Sequence, residues 1–205
     1  LVYSSYRSQG HGNPSETWMV LSNDDGQTWT RRSKFGSDDS NEATLCNLGG
    51  GRLLAATRTH IDHHVKLCEL SKTGKSWKEK FPLTLPLQHP ADLTALSEKC
   101  LLLTYGIRNR GLMGIGARLS IDAGKTWRPP WVIHQFGDNA KDIGYPSTVS
   151  LDNKGNLLTA FYTDYEPSLK TKPNRYRVLA KRWSLKDWLH PTIVDTISDG
   201  KQLKI

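Results

Sequence analysis

Five side chains stand out for the chemistry that their types and settings allow. Glu42 opens the apolar run Ala43-Thr44-Leu45, and Arg58 closes another, Leu53-Leu54-Ala55-Ala56-Thr57, 16 positions later. Tyr145 sits in Gly144-Tyr145-Pro146, while Arg108 and Arg110 follow the strand-like stretch Cys100 to Gly106. A tyrosine, with a pKa of about 10, is a poor nucleophile at neutral pH until a base takes its proton, and a neighbouring glutamate can be that base. Arginine grips a carboxylate through two parallel charge-assisted hydrogen bonds. Each residue also has a plainer role: Glu42 as a solvated strand-start residue, Arg58 snorkelling from a sheet edge, Tyr145 as a core aromatic at a strand entry. Arg118 lies near enough to Arg108 and Arg110 that loop length decides which of them faces inward. Asp142 reads as a turn cap rather than an acid.

Other chemistries find less support. Asn23-Asp24-Asp25-Gly26 resembles a calcium loop superficially, but no glutamate follows where an EF-hand loop needs one. Cys46, Cys68 and Cys100 are odd in number, form no CxxC pair and lie in apolar runs, so they read as small buried hydrophobes. No metal and no cofactor are expected.

The 205 residues carry a formal net charge of +8, which raises nucleic acid, a membrane surface or an acidic glycan as partners. The basic residues are scattered, densest between Lys170 and Arg182, and no helix-turn-helix, RNP or zinc-finger pattern accompanies them. Nucleic acid is therefore not expected, no apolar stretch is long enough for a membrane span, and an acidic glycan stays open. The chain begins without Met, directly on the strand-like Leu1 to Tyr6, and reads as a piece of something longer.

The elements that must position these residues come from an internal repeat. Ser22-Asn23-Asp24-Asp25-Gly26-Gln27-Thr28-Trp29 and Ser120-Ile121-Asp122-Ala123-Gly124-Lys125-Thr126-Trp127 share the pattern S-x-D-x-G-x-T-W. Between them, Leu70-Ser71-Lys72-Thr73-Gly74-Lys75-Ser76-Trp77 keeps the glycine, hydroxyl and tryptophan but has lysine for aspartate, and the three tryptophans are 48 and 50 residues apart. Each period reads as four strands. The second has 42–48, 52–58, 65–70 and 77–83; the third has 92–96, 100–106, 114–120 and 127–135; the fourth has 145–151, 156–163, 175–185 and 192–197. The first shows only 2–8, 17–21 and 29–35. Helical runs of useful length are absent. Four antiparallel strands per 40 to 50 residues predict an all-β chain, a β-propeller with blades at about 1–36, 37–86, 87–137 and 138–205. In the repeated turn the aspartate accepts backbone N–H groups, glycine takes positive φ, and the tryptophan wedges between blades.

These motifs resemble the Asp-box (BNR) repeats of sialidases, or neuraminidases, and their wider family. The resemblance implies about four blades of a probable six, and an exo-acting, retaining glycoside hydrolase cleaving a terminal acidic sugar, sialic acid by default. Sialidases replace the usual carboxylate nucleophile with a tyrosine. On that resemblance Tyr145 would be the nucleophile and Glu42 its base, approaching across a central channel lined by first strands, with Arg58 and Arg108 or Arg110 binding the substrate carboxylate. Nothing matches the family's acid/base aspartate or its first arginine: Arg7 lacks the Arg-Ile-Pro context, and Asp38-Asp39 reads as a polar loop. Similar boxes also occur in non-enzymatic propellers, so a non-catalytic module binding glycans or proteins is the alternative.

Overall fold

The computed structural model describes residues 1–7, 15–36, 39–165, 176–189, 194–196 and 202–204. Four antiparallel sheets follow one another along the chain. The first contains β1 (Val2–Arg7), β2 (Glu16–Leu21) and β3 (Thr30–Phe35); the second β4 (Ser40–Asn47), β5 (Leu53–Thr59), β6 (Val65–Leu70) and β7 (Trp77–Pro82). The third holds β8 (Gln88–Ala95), β9 (Leu101–Ile107), β10 (Met113–Ser120) and β11 (Trp131–Gly137); the fourth β12 (Ile143–Ser150), β13 (Asn156–Thr163) and β14 (Arg177–Ser184). Strands pair in chain order within each sheet, and β1, β4, β8 and β12 pack against one another in succession as an inner row. Among the described residues no helix is long and apolar enough to cross a membrane.

The sheets stack because their middle strands are apolar on both faces. Leu53, Ala55 and Cys68 pack toward Met19 and Phe35 of the first sheet, whereas Leu54, Ala56 and Leu67 pack toward Leu101, Leu103 and Tyr105 of the third. Leu102, with Ile115 and Leu119, turns instead toward Ile143, Leu157 and Phe161 of the fourth. This two-residue alternation, buried on each side, is what a sheet between two sheets requires. Side-chain hydrogen bonds tie the inner row together. Thr17 donates to the Ser40 and Asn41 carbonyls at 2.9 and 3.0 Å. The half-buried Asp92 carboxylate accepts the Thr148 N–H at 2.8 Å, and hydroxyls of Thr104, Thr148 and Thr159 form a chain at 3.0 and 2.9 Å.

The repeated turns share one geometry. Asp24 accepts the Thr28 N–H and hydroxyl at 2.8 and 2.5 Å, and Asp122 accepts those of Thr126 at 2.9 and 2.5 Å. These bonds hold both carboxyls down at about 2. In the middle copy, where Lys72 stands for aspartate, the Ser71 hydroxyl accepts the Ser76 N–H at 3.2 Å instead. Trp77 crosses to the first sheet, donating to Ser33 at 3.0 Å beside Phe35, and Trp127 packs on the core between the second and third sheets. Trp29 lies against Tyr3 of its own sheet and is exposed.

Several strand expectations are corrected. The strand expected at 127–135 starts at Trp131, because Pro129 and Pro130 lack the N–H that a ladder needs. The stretch expected as strand to 185 ends at Ser184, and a short helix α1 (Leu185–Leu189) follows. The fourth strand expected at 192–197 is not part of the fourth sheet: β15 (Val194–Thr196) pairs with β16 (Gln202–Lys204) in a separate ribbon. Ser8, Asp38, Arg175 and positions 192, 193 and 197 lie outside the described residues.

Gly124 has φ +85, and a Cβ there would meet Leu54 Cδ1 at 3.2 Å and Leu101 Cδ1 at 3.3 Å. Gly74 has φ +68 with open space around it. Gly124→Ala should therefore cost about 2 to 3 kcal/mol, and Gly74→Ala only about 1 to 2, since the second pays for backbone conformation alone. Urea unfolding of both variants checks the difference.

Candidate active site

Three of the inner strands carry the same irregularity. Between Ser40↔Thr59 and Ala43↔Thr57, between Gln88↔Ile107 and Ala91↔Tyr105, and between Gly144↔Tyr162 and Ser147↔Ala160, the inner strand spends one more residue than its partner. The residues lifted out of register are Asn41-Glu42, His89-Pro90 and Tyr145-Pro146. A bulge re-aims side chains that regular pleating would send to the core, so all three pairs gather at one end of the inner row. Tyr145 has φ 48, a left-handed conformation that costs a bulky residue about 1 to 2 kcal/mol.

Glu42 and Tyr145 meet across the third sheet. The Tyr145 phenol donates a hydrogen bond to Glu42 Oε1, while Arg58 Nη1 donates to Glu42 Oε2 at 2.9 Å. The Arg58–Glu42 pair is mostly sheltered, at 17% and 19% exposure, which strengthens it relative to a surface pair. Partial burial, followed by the bond to the Glu42 carboxylate, pushes the Tyr145 phenol up to about 12. It rests protonated with its proton already directed at a carboxylate, and its ring is half open to solvent. The geometry suits proton transfer from phenol to Glu42 during attack.

Arg108 belongs to a second cluster beside the first. Its Nη2 donates to the Tyr162 hydroxyl at 2.7 Å and lies 3.5 Å from Asp142 Oδ1. The Tyr162 and Tyr176 hydroxyls donate to the two Asp142 oxygens at 2.9 and 3.0 Å. Burial and the Asp142 carboxylate raise the Tyr162 phenol, and its ring lies 5.9 Å from that of Tyr145. Asp142 thus departs from the expected turn cap. Asp164 caps instead, accepting the N–H groups of Lys141 and Asp142 at 2.9 and 3.1 Å.

The structure separates the arginines that the sequence left equivalent. Arg108 joins the cluster, whereas Arg110 is exposed on the loop to β10, beside a neighbouring cleft. Arg118 turns away and donates to the Leu83, Trp127 and Arg128 carbonyls, tying the second and third sheets. Sequence reasoning missed Tyr162, the anchoring role of Asp142, and His89. The available signal for His89 was Pro90, which parallels Pro146 after Tyr145. Gly106 makes room there: a Cβ would sit 2.9 Å from the His89 carbonyl and 3.2 Å from Gly144 Cα. Among the described residues no cluster of three or more His, Cys, Asp or Glu could hold a metal ion.

Residues 2–158 match the family described as the BNR repeat-like domain. Among solved structures, the chain is similar to the Penicillium chrysogenum α-L-arabinanase complexed with arabinobiose, at 16% identity and a TM-score of 0.63, over 99% of this chain and 69% of that one. It is similar to the GH93 α-L-arabinofuranosidase of Fusarium graminearum at 14% identity and a TM-score of 0.56, over 99% and 68%. It is also similar to the Hadza microbial sialidase Hz136, at 20% identity and a TM-score of 0.58, over 71% of this chain but only 29% of the sialidase. At these identities the likeness is one of fold. No curated protein sequence matches the chain.

His89 is 3% exposed and its imidazole is pushed down to about 3, first by burial, then by the charges of Arg58, Arg108 and His63. The native state therefore binds fewer protons than the unfolded chain between about pH 6.5 and 3. Stability from this group is full above that window and is lost as pH falls through it. His63 and His134, also lowered by burial, act with the same sign. Replacing His89 with Asn should flatten the acid limb of Tm against pH between 6 and 4, and imidazole NMR of the unaltered protein should show His89 not titrating there.

Proposed function

The chain belongs to the BNR repeat-like domain family, and from that premise we propose that it carries the nucleophile half of a glycoside hydrolase site. The single observation behind this reading is the Tyr145–Glu42 hydrogen bond, with Arg58 holding the second carboxylate oxygen. Tyr145 Oη attacks the anomeric carbon as its proton passes to Glu42 Oε1, and the aglycone leaves with a proton from a separate acid. Water deprotonated by the conjugate base of that separate acid then attacks the covalent glycosyl-tyrosine while Glu42 returns its proton to the departing Tyr145 oxygen, so two inversions give net retention. Asp142 is not that acid, because two phenols and Arg108 occupy its oxygens. The acid fits best on the part of a complete channel that the described residues do not supply.

The matching fold reading is a closed propeller of six blades, of which this chain provides about four, with limits near 1–36, 37–86, 87–137 and 138–205. The exposed Tyr3, Tyr6 and Trp29 on the first sheet, and Val149 and Val178 on the fourth, support further sheets covering both outer faces.

For the substrate we favour a terminal acidic sugar, sialic acid by default, with Arg58 and Arg108 recognising its carboxylate. A second reading is a neutral sugar. It is favoured by the charges themselves, because Arg58 pairs with Glu42 and Arg108 with Asp142 before any substrate arrives. Two of the similar solved structures, named as an arabinanase and an arabinofuranosidase, agree with that second reading. Aryl glycosides of sialic acid, of its carboxyl-reduced form and of arabinofuranose, given to the full-length protein, distinguish the two.

On whichever glycoside is cleaved, Tyr145→Phe should lower kcat by about 10³-fold or more and Glu42→Gln by about 10² to 10³-fold, with KM little changed. Arg58→Ala should weaken the acidic glycoside more than its carboxyl-reduced form. Full activity in Tyr145→Phe would reject the nucleophile assignment, and glycan binding without turnover in the unaltered protein would favour a non-catalytic module.

A further inference from the structure

Beside the Tyr145 cluster, the loop from β9 to β10 and the connection from β11 to β12 enclose a cleft of about 560 Å3. It lies at the same end of the sheets as Glu42 and Tyr145, and its volume falls in the range of roughly 300 to 1,000 Å3 typical of small-molecule sites. Met113 and Ala140 are buried at its base, Arg110 and Lys141 are exposed at its rim, and Arg108 and Asp138 complete the lining. Three cations thus face one carboxylate. Arg108 is partnered by Asp142 and Tyr162, but Arg110 and Lys141 form no ion pair among the described residues. Through Arg108 the cleft adjoins the Tyr162–Asp142 cluster, whose Tyr162 ring lies tilted at 5.9 Å from that of Tyr145.

We infer that this cleft is a second subsite, taking an anionic group, carboxylate or sulfate ester, on the sugar next to the one held at Tyr145. The inference rests on the glycoside hydrolase reading above and extends it to an extended acidic glycan as the substrate class. The physical reason is charge placement. A terminal sugar engages arginines that the protein already neutralises in part, whereas the adjoining unit would meet two cations with no ion-pair partner among the described residues. Exposed cations of this kind contribute modestly each and fade with salt, so the subsite selects among glycans rather than anchoring them.

The test uses three disaccharides with an uncleavable sulfur-bridged linkage and the same terminal sugar, the one preferred among the aryl glycosides. The second sugar carries a carboxylate, a sulfate ester or a neutral hydroxymethyl group. Calorimetric titration of the full-length protein at about 50 mM salt should show the charged pair binding about five- to tenfold more tightly than the neutral ligand, with the ratio shrinking at high salt. In an Arg110→Gln/Lys141→Gln double variant the ratio should fall to near 1, and each single variant should lie between. Lys75→Gln, which removes a cation from the opposite end of the second sheet, should keep the ratio. Preference for only one anion would name the group. An equal affinity for all three ligands in the unaltered protein, or a ratio unchanged in the double variant, would overturn the subsite while leaving the Tyr145 reading intact. No binding of any ligand would count against the Tyr145 reading itself, and with it this subsite.

Discussion

A one-residue bulge near the start of three successive inner strands decides where chemistry can sit. Without it, β4, β8 and β12 would pleat regularly and send alternate side chains into the cores between sheets. With it, Glu42, His89 and Tyr145 are lifted to one end of the inner row. The bulges are affordable only because the middle strands beside them are buried on both faces and Gly106 lets three strands come close. The rigid stack absorbs the left-handed conformation at Tyr145, so strain is concentrated at the residue proposed as the nucleophile.

The electrostatics of the site are self-balanced. Glu42 is neutralised by Arg58 and Asp142 by Arg108, in pairs held by sheets two, three and four. This balance keeps the tyrosine hydrogen bond directed at an oriented carboxylate while the phenol itself rests protonated at about 12. On the proposed reading a substrate carboxylate would share these arginines, which is why a neutral sugar stays in competition with an acidic one and why the rim cations Arg110 and Lys141, without an ion-pair partner among the described residues, enter the proposed subsite.

The repeated turns were legible because glycine, hydroxyl and tryptophan are needed locally, whatever the rest of the chain does. The all-β class followed from the repeat, with four strand-like segments in each period. The bulges were not legible, since register is set by pairing with a strand some 16 residues away and leaves no local mark beyond Pro90 and Pro146. Arg108 and Arg110 could not be told apart because they lie past the end of β9, where alternation no longer assigns a face. Tyr162 looked like an ordinary strand residue; only its place opposite Gly144 shows that it buttresses the site. The end of the chain misled for a related reason: the short stretch Trp183-Ser184-Leu185 does not by its pattern separate the end of a strand from the first turn of a helix.

The account stands or falls on a covalent bond to Tyr145. A sugar with fluorine at the anomeric carbon and a second fluorine on the adjacent ring carbon needs no acid, because fluoride departs as the anion while the phenol proton passes to Glu42. The sugar used is the one preferred among the aryl glycosides. Peptide mass spectrometry after reaction should show one added glycosyl group, on Tyr145, absent in Tyr145→Phe and much slower to form in Glu42→Gln. An adduct on another residue, or turnover of the aryl glycoside with no adduct under any condition, would contradict it.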